Sequence, residues 1–305
     1  MTINYKTIRT IEFLENYYRQ DIEENIKDYK ELLNVLFEIQ GYISEAKVQF
    51  PIWKLALDTM IAKIALHCYS FVQLISGQTI DIDYLKNKNK NNNIIDIPSA
   101  YVLLRAQLEN FLMIDFIYFQ PQSEDESKFR YTCWDYSSLI SISKYKTHGK
   151  SKLAEAIKEN EQEIIDLWSE IEKSSYLKKL TKNQRKRLQK NGDSRLSNSW
   201  DDLINLSKLN PLLFGNLYSL LSKHAHSESF GVFHLKGLKL GFHKNHNQAY
   251  LILFLSKSLI CLLILRLTRY IKTAEIKFNM ISPKLRNDIE IYSTFIDKEL
   301  LKTST

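Results

Sequence analysis

The chain has 305 residues, and 44% of them are hydrophobic, which is enough to build a sizeable core and excludes a disordered protein. Only eight glycines and five prolines occur, against the roughly 7% and 5% that are usual, so collagen-like structure is excluded and long helices are favoured. Forty-two basic and 35 acidic residues give a formal charge of +7, which points to an acidic partner such as nucleic acid or a membrane surface.

Hydrophobic periodicity and the spacing of turn-forming residues predict an all-α multi-helix bundle. Asn210-Pro211 and Ser282-Pro283 are typical helix starts, because proline fits the first helical turn. Helix ends are predicted at Gly41, Gly77, Gly149 and Gly192. The predicted helices span about residues 8–20, 22–46, 51–76, 98–119, 123–147, 151–173, 176–190, 199–208, 211–226, 248–273 and 282–301.

We expect helices in residues 1–90 to pack on a helical core of residues 95–275, with a C-terminal helix in 280–305. A charged helical hairpin at about 151–195 is expected as an insertion in that core. Residues 86–93 contain only Lys and Asn and predict a mobile surface loop. Apolar and polar residues alternate over 231–246, which favours a short β-hairpin or an ordered loop.

Several features favour a cytoplasmic protein. The three cysteines are odd in number, far apart and set in apolar surroundings, which suits reduced thiols. The first residues lack the pattern of a signal peptide. The apolar run 249–265 approaches the length of a membrane span, but Lys257 lies at its centre and Arg266 and Arg269 follow it. A buried core helix is therefore favoured, and no membrane partner is expected.

The excess positive charge is concentrated in residues 178–195, where eight basic residues accompany one acidic residue. An acidic stretch of seven carboxylates and one Lys, residues 155–172, comes directly before it. Two interpretations stay open: neutralisation of the two segments on a solvated surface, or attraction of RNA through phosphate contacts. The candidate nucleic-acid-binding residues are Lys178, Lys179, Lys182, Arg185, Lys186, Arg187 and Lys190.

Two polar stripes interrupt otherwise apolar helices. Arg105 and Glu109 lie four residues apart in the helix that begins near residue 98, where a charged pair predicts either a buried ion pair or a functional site. Tyr218, Ser222 and His226 recur every four residues and so share one face of the helix that begins at residue 211. That face is either a satisfied polar seam or part of a site.

A metal site is not expected, although five of the seven histidines lie within 23 residues. His224 and His226 are two residues apart and cannot share one face of a helix. His243 and His246 fall in a segment rich in Lys and Asn, and no cysteine is nearby. The sequence therefore predicts neither a metal nor a cofactor.

Four short motifs together resemble a family of helical bacterial proteins that is similar to the HEPN superfamily. They are Leu-Leu-Arg105-x3-Glu109, Phe129-Arg130-Tyr131, Ser199-Trp200-Asp-Asp-Leu and Tyr218-x2-Leu-Ser222-x3-His226-Ser227. The resemblance covers about residues 95–270. It implies a helical bundle that forms homo-oligomers, and a metal-independent ribonuclease or RNA-binding effector in an anti-phage or toxin–antitoxin context. An antitoxin or another protein partner is then an expected regulator.

The resemblance also implies roles for individual residues. HEPN nucleases carry an arginine, then four to six residues, then a histidine, but here Ser219, Leu220 and Leu221 stand where the arginine would be. His226 would be the general acid or base, and Arg105 or Arg130 would come from another helix to hold the phosphate. Glu109 would orient these groups, with support from Tyr131, Tyr218, Ser222 and Ser227. The alternative is a non-enzymatic partner-binding module in which Arg105, Glu109 and His226 form a buried structural network.

Overall fold

The structure, a computed structural model, describes residues 21–46, 50–79, 93–145, 152–226, 228–229, 231–233 and 246–297. These residues form a multi-helix bundle, so the all-α prediction is confirmed. Strands β1 (Gln78–Thr79) and β2 (Asn93–Ile94) form a two-residue antiparallel ladder. The helices are α1 (Ile22–Ala46), α2 (Ile52–Ile75), α3 (Ile97–Ile114), α4 (Glu124–Ser143), α5 (Lys152–Lys173), α6 (Ser175–Lys179), α7 (Lys182–Asn191), α8 (Trp200–Leu206), α9 (Pro211–Ala225), α10 (His246–Tyr270), α11 (Lys272–Met280) and α12 (Pro283–Ile296).

The two predicted cap-and-proline helix starts are confirmed. Ser282 Oγ accepts a hydrogen bond from the Leu285 amide, and α12 begins at Pro283. Asn210 Oδ1 accepts from the Leu213 amide at 3.4 Å, and α9 begins at the following proline. Each side chain satisfies an amide that the first helical turn leaves without a backbone partner.

Glycine marks some of the predicted helix ends but not all of them. Gly192 ends α7 in the left-handed conformation, with φ of 66°. The prediction at Gly41 is wrong, because α1 continues to Ala46. Ile39 and Ile43 on either side of this glycine are fully buried, so the packing of α1 outweighs the roughly 1 kcal/mol that an interior glycine costs. Gly149 lies outside the described residues.

Two predicted helices are interrupted in the structure. The helix predicted at 176–190 is divided into α6 and α7, because Thr181 and Gln184 form a reciprocal capping box that starts a new helix. The helix predicted at 248–273 ends at Tyr270, and α11 follows as a separate, unpredicted helix. Residues 231–233 are helical, whereas the rest of the predicted hairpin before residue 246, the helix at 8–20 and the loop at 86–92 lie outside the described residues.

The chain divides into two compact units. Unit 1 contains Met1–Phe50, Lys54–Leu112 and Lys208–Thr305, and unit 2 contains Pro51–Trp53 and Met113–Ser207. In unit 1, α10 packs against α1, α11 and α12. Of the described helices, α2 and α10 are long and apolar enough to cross a membrane, and 78% of the apolar window of α10 is buried inside the protein. That burial agrees with the core helix predicted for residues 249–265.

Lys257 is a fully buried cation on α10. Its Nζ lies 3.1 Å from Asn25 Oδ1 and 3.3 Å from the Tyr292 hydroxyl, and the Asp28 carboxylate is 3.9 Å away. Burial lowers the pKa of Lys257 to about 8, although Asp28 acts in the opposite direction. The three partners lie on α1 and α12, so this cluster joins both helices to α10.

A second buried network in unit 1 is neutral. The hydroxyls of Tyr29 and Ser256 are 2.7 Å apart, and Ser256 donates to Gln107 Oε1 at 2.6 Å. Gln107 Nε2 in turn reaches the His67 carbonyl at 3.4 Å. The side chains of Tyr29, Gln107 and Ser256 are all fully buried. The network joins α1, α2, α3 and α10 through polar groups that water does not reach.

Unit 2 is built around α4, which packs against a π-helical segment, Asp115–Phe119, and against α5 and α7. The wide π turn leaves carbonyls available, and α4 side chains satisfy two of them. Arg130 Nη1 donates to the Phe116 carbonyl at 2.6 Å, and Ser127 Oγ donates to the Ile117 carbonyl at 2.7 Å. The acidic stretch lies on α5 and most of the basic stretch on α7, so both charged segments pack on α4.

Candidate active site

The two polar stripes predicted on different helices meet in unit 1. Arg105 and Glu109 lie one turn apart on α3, and Tyr218 and Ser222 lie one turn apart on α9. His226 follows directly after the last residue of α9. Later residues of α3 contact earlier residues of α9, so the two helices run antiparallel at this point. Their spacing of four residues places each stripe along a single face.

Arg105 is the centre of the cluster. Its Nε donates to Glu109 Oε1 at 2.8 Å, and its Nη2 donates to the Tyr218 hydroxyl at 3.3 Å. Its Nη1 lies 3.1 Å from His226 Nε2. The Tyr218 hydroxyl also donates to Glu109 Oε1, at 3.0 Å. One continuous hydrogen-bonded network therefore joins two side chains of α3, Tyr218 of α9 and His226, which directly follows α9.

The cluster is partly open to solvent. The side chains of Arg105 and Glu109 are 17% and 28% exposed. Tyr218 and Ser222 are half-buried, and His226 is exposed. A ligand can therefore reach the exposed His226 and the partly exposed Arg105 side chain without unfolding the bundle.

The surroundings keep Arg105 charged and Tyr218 protonated. Burial lowers the pKa of Arg105, but Glu109 and Tyr218 together outweigh burial and raise that pKa above its usual value. Burial raises the pKa of Tyr218, and Glu109 raises it further, whereas Arg105 and a hydrogen bond with Ser222 lower it. The net pKa of Tyr218 is raised, so its hydroxyl remains a hydrogen-bond donor at neutral pH.

The contact between Arg105 and His226 depends on the tautomer of the imidazole. A guanidinium has only donors, so His226 Nε2 must accept through its lone pair. A hydrogen bond between these two atoms therefore requires the tautomer that carries its proton on Nδ1. A neutral imidazole is the form that acts as a general base.

A tight turn holds His226 at the end of α9. The His226 amide donates to the Ser222 carbonyl at 3.0 Å, and the Glu228 amide donates to the Lys223 carbonyl at 3.2 Å. A Cβ on Gly231 would lie only 2.8 Å from that same Lys223 carbonyl. The absence of a side chain at Gly231 therefore lets the backbone there approach the Lys223 carbonyl of α9. The sequence pattern did not reveal this positioning role.

The other predicted supporting residues have different partners, and Ser227 lies outside the described residues. Arg130 belongs to unit 2, where its Nη2 pairs with Glu126 at 2.6 Å and its guanidinium lies 4.3 Å from the centre of the Phe116 ring. Burial lowers the pKa of Arg130. Tyr131, also in unit 2, donates to Asp135 at 3.4 Å, and burial raises its pKa to about 12. Of the two candidate arginines, Arg105 is the one that contacts His226.

The predicted basic residues all lie on the surface of unit 2. Two of them already have protein partners. The Arg185 guanidinium donates to the carbonyls of Leu180 and Lys178, and the Arg187 guanidinium lies 3.2 Å from the Asp193 carboxylate. The exposed set is Lys178, Lys179, Lys182, Arg185, Lys186, Arg187 and Lys190.

Sequence reasoning missed three aromatic contacts, of which only the Tyr101–His224 stack joins distant parts of the chain. Tyr101 and His224 stack with ring centres 4.5 Å apart and planes 16° apart, beside the cluster. In unit 2, Lys179 Nζ lies 3.9 Å from the Tyr176 ring centre, and the Arg195 guanidinium lies 4.6 Å from that of Trp200. Aromatic rings therefore flank the basic stretch, which contains none itself.

No group of three or more histidine, cysteine, aspartate or glutamate side chains among the described residues is arranged to hold a metal ion. His234 and His243 lie outside those residues. Cys68, Cys133 and Cys261 are free and buried, and burial raises the pKa of each thiol. Their positions agree with the predicted reduced cysteines.

In comparisons with known proteins, no family model, no curated protein and no solved structure matches this chain.

Proposed function

We propose that this chain is a metal-independent ribonuclease or RNA-binding effector whose Arg105 and His226 act on an RNA phosphodiester. The observation that carries the proposal is the 3.1 Å contact between these two side chains in a partly exposed cluster. A guanidinium beside an accessible imidazole combines a cation for phosphate oxygens with an acid–base group. The similarity of the motifs to HEPN proteins supports the same reaction class.

RNA carries its own nucleophile, so the protein needs to move a proton and stabilise charge. His226 Nε2 accepts the proton of the 2′-hydroxyl, and the 2′ oxygen forms a bond to phosphorus. The bond from phosphorus to the 5′ oxygen breaks, that oxygen takes a proton from water, and the hydroxide left behind takes up the proton that His226 had accepted. The products are a 2′,3′-cyclic phosphate and a 5′-hydroxyl. In this step Nη1 of Arg105 exchanges its hydrogen bond to His226 for one to the phosphate. The positively charged guanidinium then stabilises the oxygens on which negative charge develops.

Glu109 and Tyr218 position Arg105 for this role. Glu109 fixes Nε, and the Tyr218 hydroxyl bridges Nη2 and Glu109, so the guanidinium plane is held from two sides. The Nη1 edge beside the exposed His226 is then the part of Arg105 that meets a phosphate. The local charge of the basic stretch of unit 2 adds attraction for RNA that falls as salt concentration rises.

A non-enzymatic partner-binding module is the second candidate. The observation in its favour is that Nε, Nη1 and Nη2 of Arg105 each have a protein partner, as in a structural network. If the network is structural, His226→Ala should lower stability by about 1–3 kcal/mol. The exposure of His226 favours the ribonuclease, for which the same change should alter stability by less than about 0.5 kcal/mol.

The test is cleavage of labelled tRNA and total RNA by the purified protein in EDTA. We expect the wild type to cut RNA and folded His226→Ala to be inactive. Gln73→Ala, a change at an exposed residue of α2, should cut like the wild type. Equal activity of wild type and His226→Ala would contradict the proposal, as would absence of cleavage and binding across several RNAs.

A further inference from the structure

An aromatic pair from the same two helices lies next to the cluster. Tyr101 lies four residues before Arg105 on α3, and His224 lies in the last turn of α9, two residues before His226. The imidazole of His224 stacks on the phenol ring with centres 4.5 Å apart and planes only 16° apart. The aromatic pair and the Arg105–His226 pair therefore follow each other along the same α3–α9 contact.

The two rings differ in exposure. Tyr101 is 3% exposed and belongs to the core, where burial raises the pKa of its hydroxyl. His224 is half-buried, so part of its ring is open to solvent while the phenol packs against one face of it. A nearly parallel stack of this kind restricts the rotation of the imidazole and keeps its plane defined. A planar ring held in this way beside a phosphate site is suited to stack on a nucleobase.

We propose that His224, supported by Tyr101, is the nucleobase subsite of this site and selects unpaired RNA. This inference rests on the proposed function, because the base that stacks there belongs to a nucleotide whose phosphate meets Arg105. In duplex RNA the bases are stacked on their neighbours and their faces are not available. A base splayed out of a single strand or a loop presents its face, so single-stranded RNA is the substrate class that the subsite accepts.

Stacking needs only a flat aromatic ring, so two variants of His224 can distinguish stacking from acid–base chemistry. His224→Phe keeps a ring of similar size on Tyr101 but removes both ring nitrogens. His224→Ala removes the ring. If His224 acts by stacking, His224→Phe retains its function and His224→Ala loses it. If His224 acts as an acid or base, both variants lose its function. Circular dichroism and melting temperature establish that each variant is folded before binding is measured.

The probe is a 12-nucleotide RNA with 2′-O-methyl groups, which cannot be cut through its 2′ oxygens, used as a single strand and annealed to its complement. We expect the wild type to prefer the single strand. His224→Ala should weaken single-strand binding by about tenfold, as expected for loss of one stacked base, and His224→Phe should stay within about threefold of the wild type. Duplex binding should change little in both variants. In cleavage assays, the loss in His224→Ala should appear in KM, with kcat retained.

Two results would overturn the subsite and leave the proposed function standing, provided that the wild type cuts RNA. The first is that His224→Ala binds single-stranded RNA as tightly as the wild type. The second is that His224→Phe and His224→Ala both lose kcat. The second result would make His224 an acid–base residue. Failure of the wild type to bind or cut any RNA would overturn the proposed function, and the subsite with it.

Discussion

The buried Lys257 allows a quantitative test of the core of unit 1. Its pKa falls from 10.5 to about 8 in the folded chain because burial disfavours the ammonium form. Below pH 8 the lysine is protonated in both the folded and the unfolded state, and the folded state bears the whole cost of the buried charge. Between pH 8 and 10.5 the unfolded state binds more protons, so stability rises with pH. The difference of about 2.5 pKa units corresponds to about 3 kcal/mol.

Replacing Lys257 by methionine removes the titrating group and keeps a side chain of similar length. We expect Lys257→Met to be more stable than the wild type at pH 7, although lost hydrogen bonds to Asn25 and Tyr292 offset about 1 kcal/mol each. The stability advantage of the variant should fall by about 2–3 kcal/mol between pH 7 and 10, as the wild type loses its buried charge.

The assay is urea unfolding followed by circular dichroism at one-unit steps of pH. The quantity compared is the difference in free energy of unfolding between variant and wild type, in which the thiols and phenols common to both proteins largely cancel. Lys63→Met, a change at an exposed lysine of α2, is the matched control and should alter the free energy of unfolding by less than about 0.5 kcal/mol at pH 7. Parallel stability curves for Lys257→Met and wild type from pH 7 to 10 would refute the reasoning.

Two further predictions concern the fold. Tyr29→Phe removes a hydroxyl bonded to Ser256 in a fully buried network and should cost about 1–3 kcal/mol in urea unfolding; an unchanged midpoint would show that the hydroxyl adds nothing to stability. Gly192→Ala places a Cβ 2.9 Å from the Ser137 backbone at a φ of 66° and should destabilise by more than about 1 kcal/mol. Gly41→Ala, in the interior of α1 with nothing within 4 Å of the new Cβ, should instead stabilise by up to about 1 kcal/mol. A change in free energy of unfolding of the same sign in Gly192→Ala and Gly41→Ala would contradict this reasoning.

Local patterns predicted most of the described fold. Apolar periodicity located α1, α2, α3 and α10, and cap residues located the starts of α9 and α12, because these signals act within one or two turns. The sequence failed where tertiary packing or competing caps decide the outcome. Gly41 does not end α1 because buried isoleucines flank it, and a capping box at Thr181 divides what looked like one basic helix.

The candidate site was predicted as two separate stripes, and only three-dimensional structure brings them together. Spacing of four residues placed Arg105 with Glu109 and Tyr218 with His226, but no local rule predicts that α3 and α9 run antiparallel with these faces in contact. The stack of Tyr101 on His224 depends on the same contact and carried no signal in the sequence. The role of Gly231 was missed because the constraint comes from the Lys223 carbonyl, eight residues earlier in the chain.

The most direct test of the central claim uses a single 2′-deoxy substitution. The cleavage site of a labelled single-stranded RNA is mapped in EDTA, and the same strand is then made with 2′-deoxyribose on the 5′ side of that bond. If His226 activates the 2′-hydroxyl, the all-ribose strand is cut to a 2′,3′-cyclic phosphate, and the substituted strand resists cleavage at that bond. Cleavage of the deoxy-substituted bond at the wild-type rate, or intact all-ribose RNA at high enzyme concentration, would contradict the account.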